Sequence, residues 1–279
     1  MAMMTSPPAA PEPPARPSPG ALLRKLPGAG AVIDRLRRNA PVLSEGEVAQ
    51  YHATGYLIFD PGVPAATIDR AAADMLAMPG IKGATHHGTR VFNAWKDSRA
   101  IRGIAFAPRV RRILRQLYAR PPRPFQTLNF PIGTEQKVHS DVIHFDSDPP
   151  TYMCGVWVAL EDIDEGNGAL VYYPGSHKLP VVRMEDFAPG PGVEYYPQYE
   201  AHMERLVREK KLQPARAVIK KGQALIWASN LLHGGGGHPD KHRTRMSQVT
   251  HYYFDGCQYF MPLESYGGYR HLKLDDWVK

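Results

Sequence analysis

A chain of 279 residues can bury one large core, and its 43% hydrophobic and 22% charged residues are ordinary for a water-soluble globular protein. The formal charge of +7 is concentrated, six basic residues against two acidic ones falling in residues 1–39, and no basic stripe interleaved with aromatic residues suggests nucleic-acid binding. There is no apolar run of the roughly 20 residues that span a bilayer, no apolar signal core, and only two cysteines, Cys154 and Cys257; we expect no membrane span, free thiols and a cytoplasmic location.

Residues 1–19 are rich in Pro and Ala without hydrophobic period and are expected to be a disordered extension. A basic helical lead-in is expected over 20–42, its helix at about 20–38, followed by a catalytic domain over 43–279. Ser44-Glu45-Gly46-Glu47 has the Ser-x-x-Glu form of a capping box, so a helix should open there and stop near Gly55. Tyr56–Phe59 reads as a strand, and helices are expected at 65–78 and 108–119. From Phe125 onward the pattern changes to short β-rich runs broken by Gly, Pro and Asp: FQTLNF, KVHSDVIHF, YMCGVWVAL, ALVYYP, ARAVIK, QALIWAS and RMSQVTHYYF. That spacing predicts a β-sandwich or barrel with flanking helices. A longer polar insertion between His177 and Gln213, with a helix at about 200–210, has the length of a lid.

Two His-x-Asp triplets lie in EQKVHSDVIHFDSDPP: His139-Ser140-Asp141 and His144-Phe145-Asp146. Residues i and i+2 of a strand share a face, so such a triplet can offer an imidazole and a carboxylate to one metal ion. If the strand is continuous the two pairs face opposite ways, and at most one is a ligand pair. Val138 and Val142 favour a strand around the first, whereas DSDPP favours a turn at the second. A third ligand must come from elsewhere, and His233, His238 and His242 are available; His233 follows the apolar run Ala224–Trp227 in LLHGGGG, where glycines permit close approach.

The blocks GTEQKVHSD, GVWVALEDIDEGNGALVYYPGSHK, GQALIWASNLLHGG and RTRMSQVTHYYF, in this order and separation, resemble the phytanoyl-CoA dioxygenase family of Fe(II)/2-oxoglutarate oxygenases. LSEGEVAQYHATGYLIF resembles the start of the same family, so the likeness extends from about residue 43 to 254. It implies a mainly β fold with flanking helices, a double-stranded β-helix (jelly roll, cupin-like). It also implies Fe(II) held by His139, Asp141 and His233, with 2-oxoglutarate and O2 as cosubstrates. His238 and His242 would then belong to a solvated loop, and the His of PGSH, His177, would be structural. Arg245 falls on the family's 2-oxoglutarate arginine when counted back from HYYF; counting forward from His233 leaves Arg243 open. A guanidinium suits the role because it offers a two-pronged donor to a carboxylate. Gln126, Asn129, Trp157 and Ser247 are further candidates for the cosubstrate pocket.

His144 would line the substrate pocket, and the segment 83–97, with His86, His87, Arg90, Asn93 and Trp95, would cover it and suit a small polar or anionic metabolite. The expected reaction is hydroxylation of an unactivated C–H bond with release of succinate and CO2, by a monomer or weak homodimer acting on a small molecule. The carboxylate at Asp141 argues against a halogenase, which needs that position vacated for chloride. A non-catalytic jelly-roll binding protein would be expected to lack a ligand or the arginine, and a zinc hydrolase would want a recognisable general base.

Overall fold

The protein is represented by a computed structural model that describes residues 41–81, 88–188 and 192–264. The extension at 1–19 and the helix expected at 20–38 lie outside the described residues, as do His86 and His87.

Glu45–Thr54 forms the first helix (α1). Ser44 Oγ accepts from the Glu47 amide at 3.3 Å while the Glu47 carboxylate accepts from the Ser44 amide at 2.7 Å, the reciprocal box that its sequence predicts. Gly55 ends the helix at φ 81°, a left-handed conformation favouring glycine. A side chain here would also strike the His177 ring. The chain turns into β1 (Tyr56–Phe59), then α2 (Ala65–Ala77). Three elements not foreseen individually follow: β2 (Val91–Phe92), a single 3-10 turn at Ala94–Lys96, and α3 (Arg99–Ala105) capped by Ser98. In α4 (Pro108–Tyr118) the apolar residues Val110, Ile113, Leu114 and Leu117 recur at helical spacing and are the buried ones, leaving the arginines outside.

The remaining strands are β3 (Pro122–Phe130), β4 (Asp146–Asp148), β5 (Met153–Ala159), β6 (Val171–Tyr172), β7 (Ala215–Arg216), β8 (Ala224–Ala228), β9 (His233–Gly234), β10 (Ser247–Phe254) and β11 (Gln258–Phe260), with α5 (Tyr196–Glu209) in the long insertion. Six strands pair antiparallel in the order β1-β8-β5-β10-β3-β2, and a smaller sheet runs β7-β6-β9. Alternation along each strand separates two cores. On one face Val156, Val158, Ile226, Tyr252 and Phe254 pack with α1 to α4. On the other, Trp157, Leu225, Trp227 and Val249 pack with Ala169, Leu170, Tyr172, Ala217 and Ile219 from around the smaller sheet. Two sheets enclosing one apolar layer, with helices outside the larger one, make a jelly roll.

Two local expectations are corrected. KVHSDVIHF is not a continuous strand: His139 makes a single antiparallel bridge to His233, and Asp141–Ile143 then coils into a 3-10 turn. DSDPP is not wholly a turn, because Asp146–Asp148 pairs with β11 first and the chain reverses only after it. Pairing with a distant segment outweighs local turn preference there.

Candidate active site

His139 and His233 stand directly opposite each other, each amide donating to the other's carbonyl at 2.9 Å. Side chains of an opposed pair project to the same side, and the two imidazole centroids are 4.4 Å apart. The glycines after His233 permit this: a Cβ on Gly234 would lie 2.7 Å from the Gln136 carbonyl oxygen. Each ring is oriented through its far nitrogen. His139 Nδ1 lies 2.8 Å from the Lys137 carbonyl and His233 Nδ1 lies 2.9 Å from the Leu231 carbonyl. A carbonyl only accepts, so Nδ1 carries the hydrogen and each Nε2 keeps a lone pair.

Those lone pairs converge on Asp141, whose Oδ1 is 3.9 Å from His139 Nε2 and 3.7 Å from His233 Nε2. Its other oxygen, Oδ2, accepts a 2.6 Å hydrogen bond from Trp227 Nε1. One ligand atom from each of the three buried residues lies within 4.8 Å of the others, a group that can hold a metal ion. Burial pushes the His139 pKa down to about 3, with His233 acting in the same direction. At Asp141 burial pushes the pKa up, but the neighbouring His233, His251 and His139 together with the Trp227 hydrogen bond outweigh it and hold it at about 2. Two imidazoles and one carboxylate on one side of a site form the donor set suited to non-haem Fe(II).

These groups open into a cavity of about 590 Å³. At one end lies Arg245, buried, 5.4 Å from the Trp157 ring and 5.9 Å from the Phe130 ring. Its Nη1 donates to Ser247 Oγ at 2.8 Å, while its Nε has no hydrogen-bond partner among the described residues. Burial lowers its pKa to about 10, so the group remains a cation at neutral pH. A buried guanidinium with unused donors facing a cavity fits a carboxylate ligand. Arg243 is differently engaged: its two terminal nitrogens bind Asp164 at 2.9 and 2.8 Å.

The other sequence candidates separate by strand parity. Gln126 lines the cavity with Leu128 and Phe130, whereas Asn129 faces the helical side, where Nδ2 donates to Gln248 Oε1 at 3.3 Å. His144 and Arg90 line the cavity. Asn93 and Trp95 do not: Asn93 Oδ1 accepts from the Thr127 amide at 3.2 Å, and Trp95 is buried in the helical core against Phe106. His238 is buried rather than solvated, and His242 is exposed. Ser247 reaches the site only through Arg245.

Three residues not singled out from sequence also belong to the arrangement. Trp227 binds Asp141 as described. Its indole lies over Gly155 on the neighbouring strand, where any side chain would collide with it. His251 is buried with Nε2 3.7 Å from Asp141 Oδ2, and its Nδ1 donates to Gln126 Oε1 at 2.9 Å. The signal for it was the i, i+2 series 245, 247, 249, 251 on one face of the final long strand. Tyr196, from α5, accepts from Gln136 Nε2 at 3.2 Å, and its hydroxyl lies within hydrogen-bond distance of His144 Nε2 at 3.4 Å. Burial raises the Tyr196 pKa to about 12 and lowers that of His144 to about 4, so a neutral phenol faces a neutral imidazole.

A jelly roll that gathers a buried His-Asp-His cluster and a cavity-facing arginine is the architecture of the Fe(II)/2-oxoglutarate-dependent oxygenases. The profile of the phytanoyl-CoA dioxygenase family (PhyH) matches residues 29–246, most of the chain, and the protein belongs to that family. A bovine relative, "Phytanoyl-CoA dioxygenase, peroxisomal", is 29% identical over 104 residues; the match covers 36% of this chain and 28% of that protein. The chain thus aligns with less than a third of that relative's length. Among solved structures, the epimerase SnoN from nogalamycin biosynthesis, crystallised with Fe3+, alpha ketoglutarate and nogalamycin RO, superposes with a TM-score of 0.61 at 23% identity, covering 82% of this chain and 93% of that one. The carbocyclase SnoK from nogalamycin biosynthesis superposes with a TM-score of 0.65 at 17% identity, covering 84% and 95%. These likenesses establish the shared fold.

Proposed function

We propose that the protein hydroxylates an unactivated C–H bond of a small molecule, consuming O2 and 2-oxoglutarate and releasing succinate and CO2. The observation that carries this proposal is the meeting, in one cavity, of the His139-Asp141-His233 cluster with the buried Arg245, which has no acidic hydrogen-bond partner among the described residues.

His139 Nε2, Asp141 Oδ1 and His233 Nε2 would hold Fe(II), leaving the side toward the cavity open for cosubstrate and oxygen. Bound there with 2-oxoglutarate, the iron supplies the oxidising power that no side chain has. The chain supplies orientation. The Lys137 and Leu231 carbonyls fix the imidazole tautomers, and Trp227 holds Oδ2 so that Oδ1 is presented inward. Arg245, backed by Ser247 and the Trp157 ring, would receive the distal carboxylate of 2-oxoglutarate. His144 and Tyr196, both neutral, border the space left for the substrate and offer hydrogen bonds without adding charge. Retention of the carboxylate at Asp141 favours hydroxylation over halogenation.

Succinate release by purified protein tests the proposal. It should require added Fe(II), fall to background in His139→Ala, and in Arg245→Gln need a far higher 2-oxoglutarate concentration. Turnover that persists without metal would rule the proposal out.

A further inference from the structure

The cavity wall around His144 allows the substrate to be described more narrowly, on the basis that the site is an Fe(II)/2-oxoglutarate centre. We infer that the substrate is a largely apolar molecule bearing a single anionic group, a monocarboxylate, whose charge is met by Arg90 at the cavity mouth.

Charge balance is the first support. Asp141 is the one acidic residue among the described residues that line the cavity, while Arg245 and Arg90 are its two guanidiniums. A dication, the Asp141 carboxylate, the dianionic cosubstrate and Arg245 together sum to zero. Arg90 is the cation left over. It is exposed, it lies over the Phe92 ring at 5.1 Å, and no carboxylate pairs with it among the described residues. It lines the same cavity as His144 and Tyr196.

The second support is the nature of the remaining wall. Phe92, Leu128, Phe145, Met261 and Leu263 line the same cavity. Phe92 is 55% exposed and presents its ring to this cavity. Among the described residues, one unbalanced positive charge beside an apolar wall matches a hydrocarbon ring or branched chain ending in one carboxylate. It does not match a polyphosphorylated thioester, which would need several cations, nor a polyamine, which would need acids. The Gln136-Tyr196-His144 chain adds a place where a hydroxyl or carbonyl of the skeleton can bond.

A matched set of probes reads this directly: 3-cyclohexylpropanoate, 3-cyclohexylpropanamide and 3-cyclohexylpropylamine. Binding is measured by calorimetry on the full chain under anaerobic conditions, with Fe(II) and saturating 2-oxoglutarate. Metal-dependent binding of 2-oxoglutarate by the wild-type protein is measured first. The carboxylate should bind about tenfold or more tighter than the amide, and the amine weakest. Arg90→Gln should erase the advantage of the carboxylate and Arg90→Lys should keep part of it; unfolding curves check that both variants remain folded. A carboxylate no better than its amide, or a preference that survives Arg90→Gln, overturns the inference and leaves the oxygenase proposal intact. If 2-oxoglutarate does not bind in a metal-dependent manner, the oxygenase proposal fails and the charge balance fails with it.

Discussion

Trp227 shows how much of the site is held by residues that would touch neither metal nor substrate. Its N–H donates to a buried carboxylate, and hydrogen bonds to charged groups contribute about 1.5–3 kcal/mol. Trp227→Phe keeps most of the ring packing and deletes the donor, so Asp141 would lose the contact that keeps Oδ2 turned away from the cavity. We expect metal affinity to fall by roughly 10–100-fold with only modest loss of stability, measured by metal titration and urea unfolding of the apo-protein. An affinity within twofold of wild type would show that Asp141 orients itself. The His-x-Asp motif is a local pattern and can be read from adjacent residues; Trp227 cannot. Its partnership with Asp141 depends on β8 lying beside β5, with Gly155 placed opposite to leave room for the indole. His251 was legible in part: the i, i+2 series puts it on the face of Arg245 and Ser247, but its approach to Asp141 depends on the pairing of that strand.

At the scale of elements, α5 is more than a cover. Tyr199 is wholly buried, and its hydroxyl accepts from the Ser140 amide at 2.8 Å and donates to the Ser140 carbonyl at 3.2 Å, between His139 and Asp141. Lys137 approaches Glu200 and Glu204 at 3.7 and 3.5 Å on the same helix. These two ion pairs are partly exposed and so contribute little; Tyr199 is the anchor. Tyr199→Phe leaves the buried Ser140 amide without its acceptor, a cost of about 1–3 kcal/mol. Lower stability in unfolding experiments should therefore accompany weaker metal binding, whereas a helix that merely covers the cavity would alter neither. The helix could be anticipated from the pattern around 200–210, and so could α1 with its capping box and α4 with its amphipathic stripe. The helix α3 could not: it is seven residues long with Gly103 inside, and packing of Ile101 and Ile104 stabilises it rather than propensity. The bend at Asp141 was likewise out of reach, because VHSDVI has strand formers and the contacts that favour a 3-10 turn there, with Tyr199, Trp227 and Ser229, come from distant segments.

For the whole molecule, the cluster joins parts of the chain that secondary structure alone leaves loosely tied. His233 belongs to the small sheet, Asp141 to the 3-10 turn, and Trp227 ties that turn to the large sheet. A metal ion bound by His139, Asp141 and His233 would exist only when both sheets are in place, so its binding energy adds to folding stability. At a hundredfold excess over Kd this amounts to about 2.7 kcal/mol. For a domain of this size that is a rise of roughly 5–10 °C in Tm. Anaerobic thermal unfolding with Fe(II) should show this rise in the wild type and lose it in His233→Ala. Adding 2-oxoglutarate should raise Tm again only when metal is present, because its second anchor, Arg245, lines the same cavity as the cluster. A rise with 2-oxoglutarate alone would mean that Arg245 binds the dianion without the cluster. A metal-induced rise that survives in His233→Ala would place the ion elsewhere on the protein. The two ligands should therefore stabilise the fold in a fixed order, metal first and cosubstrate second, and that order is the thermodynamic signature of a site assembled from both sheets.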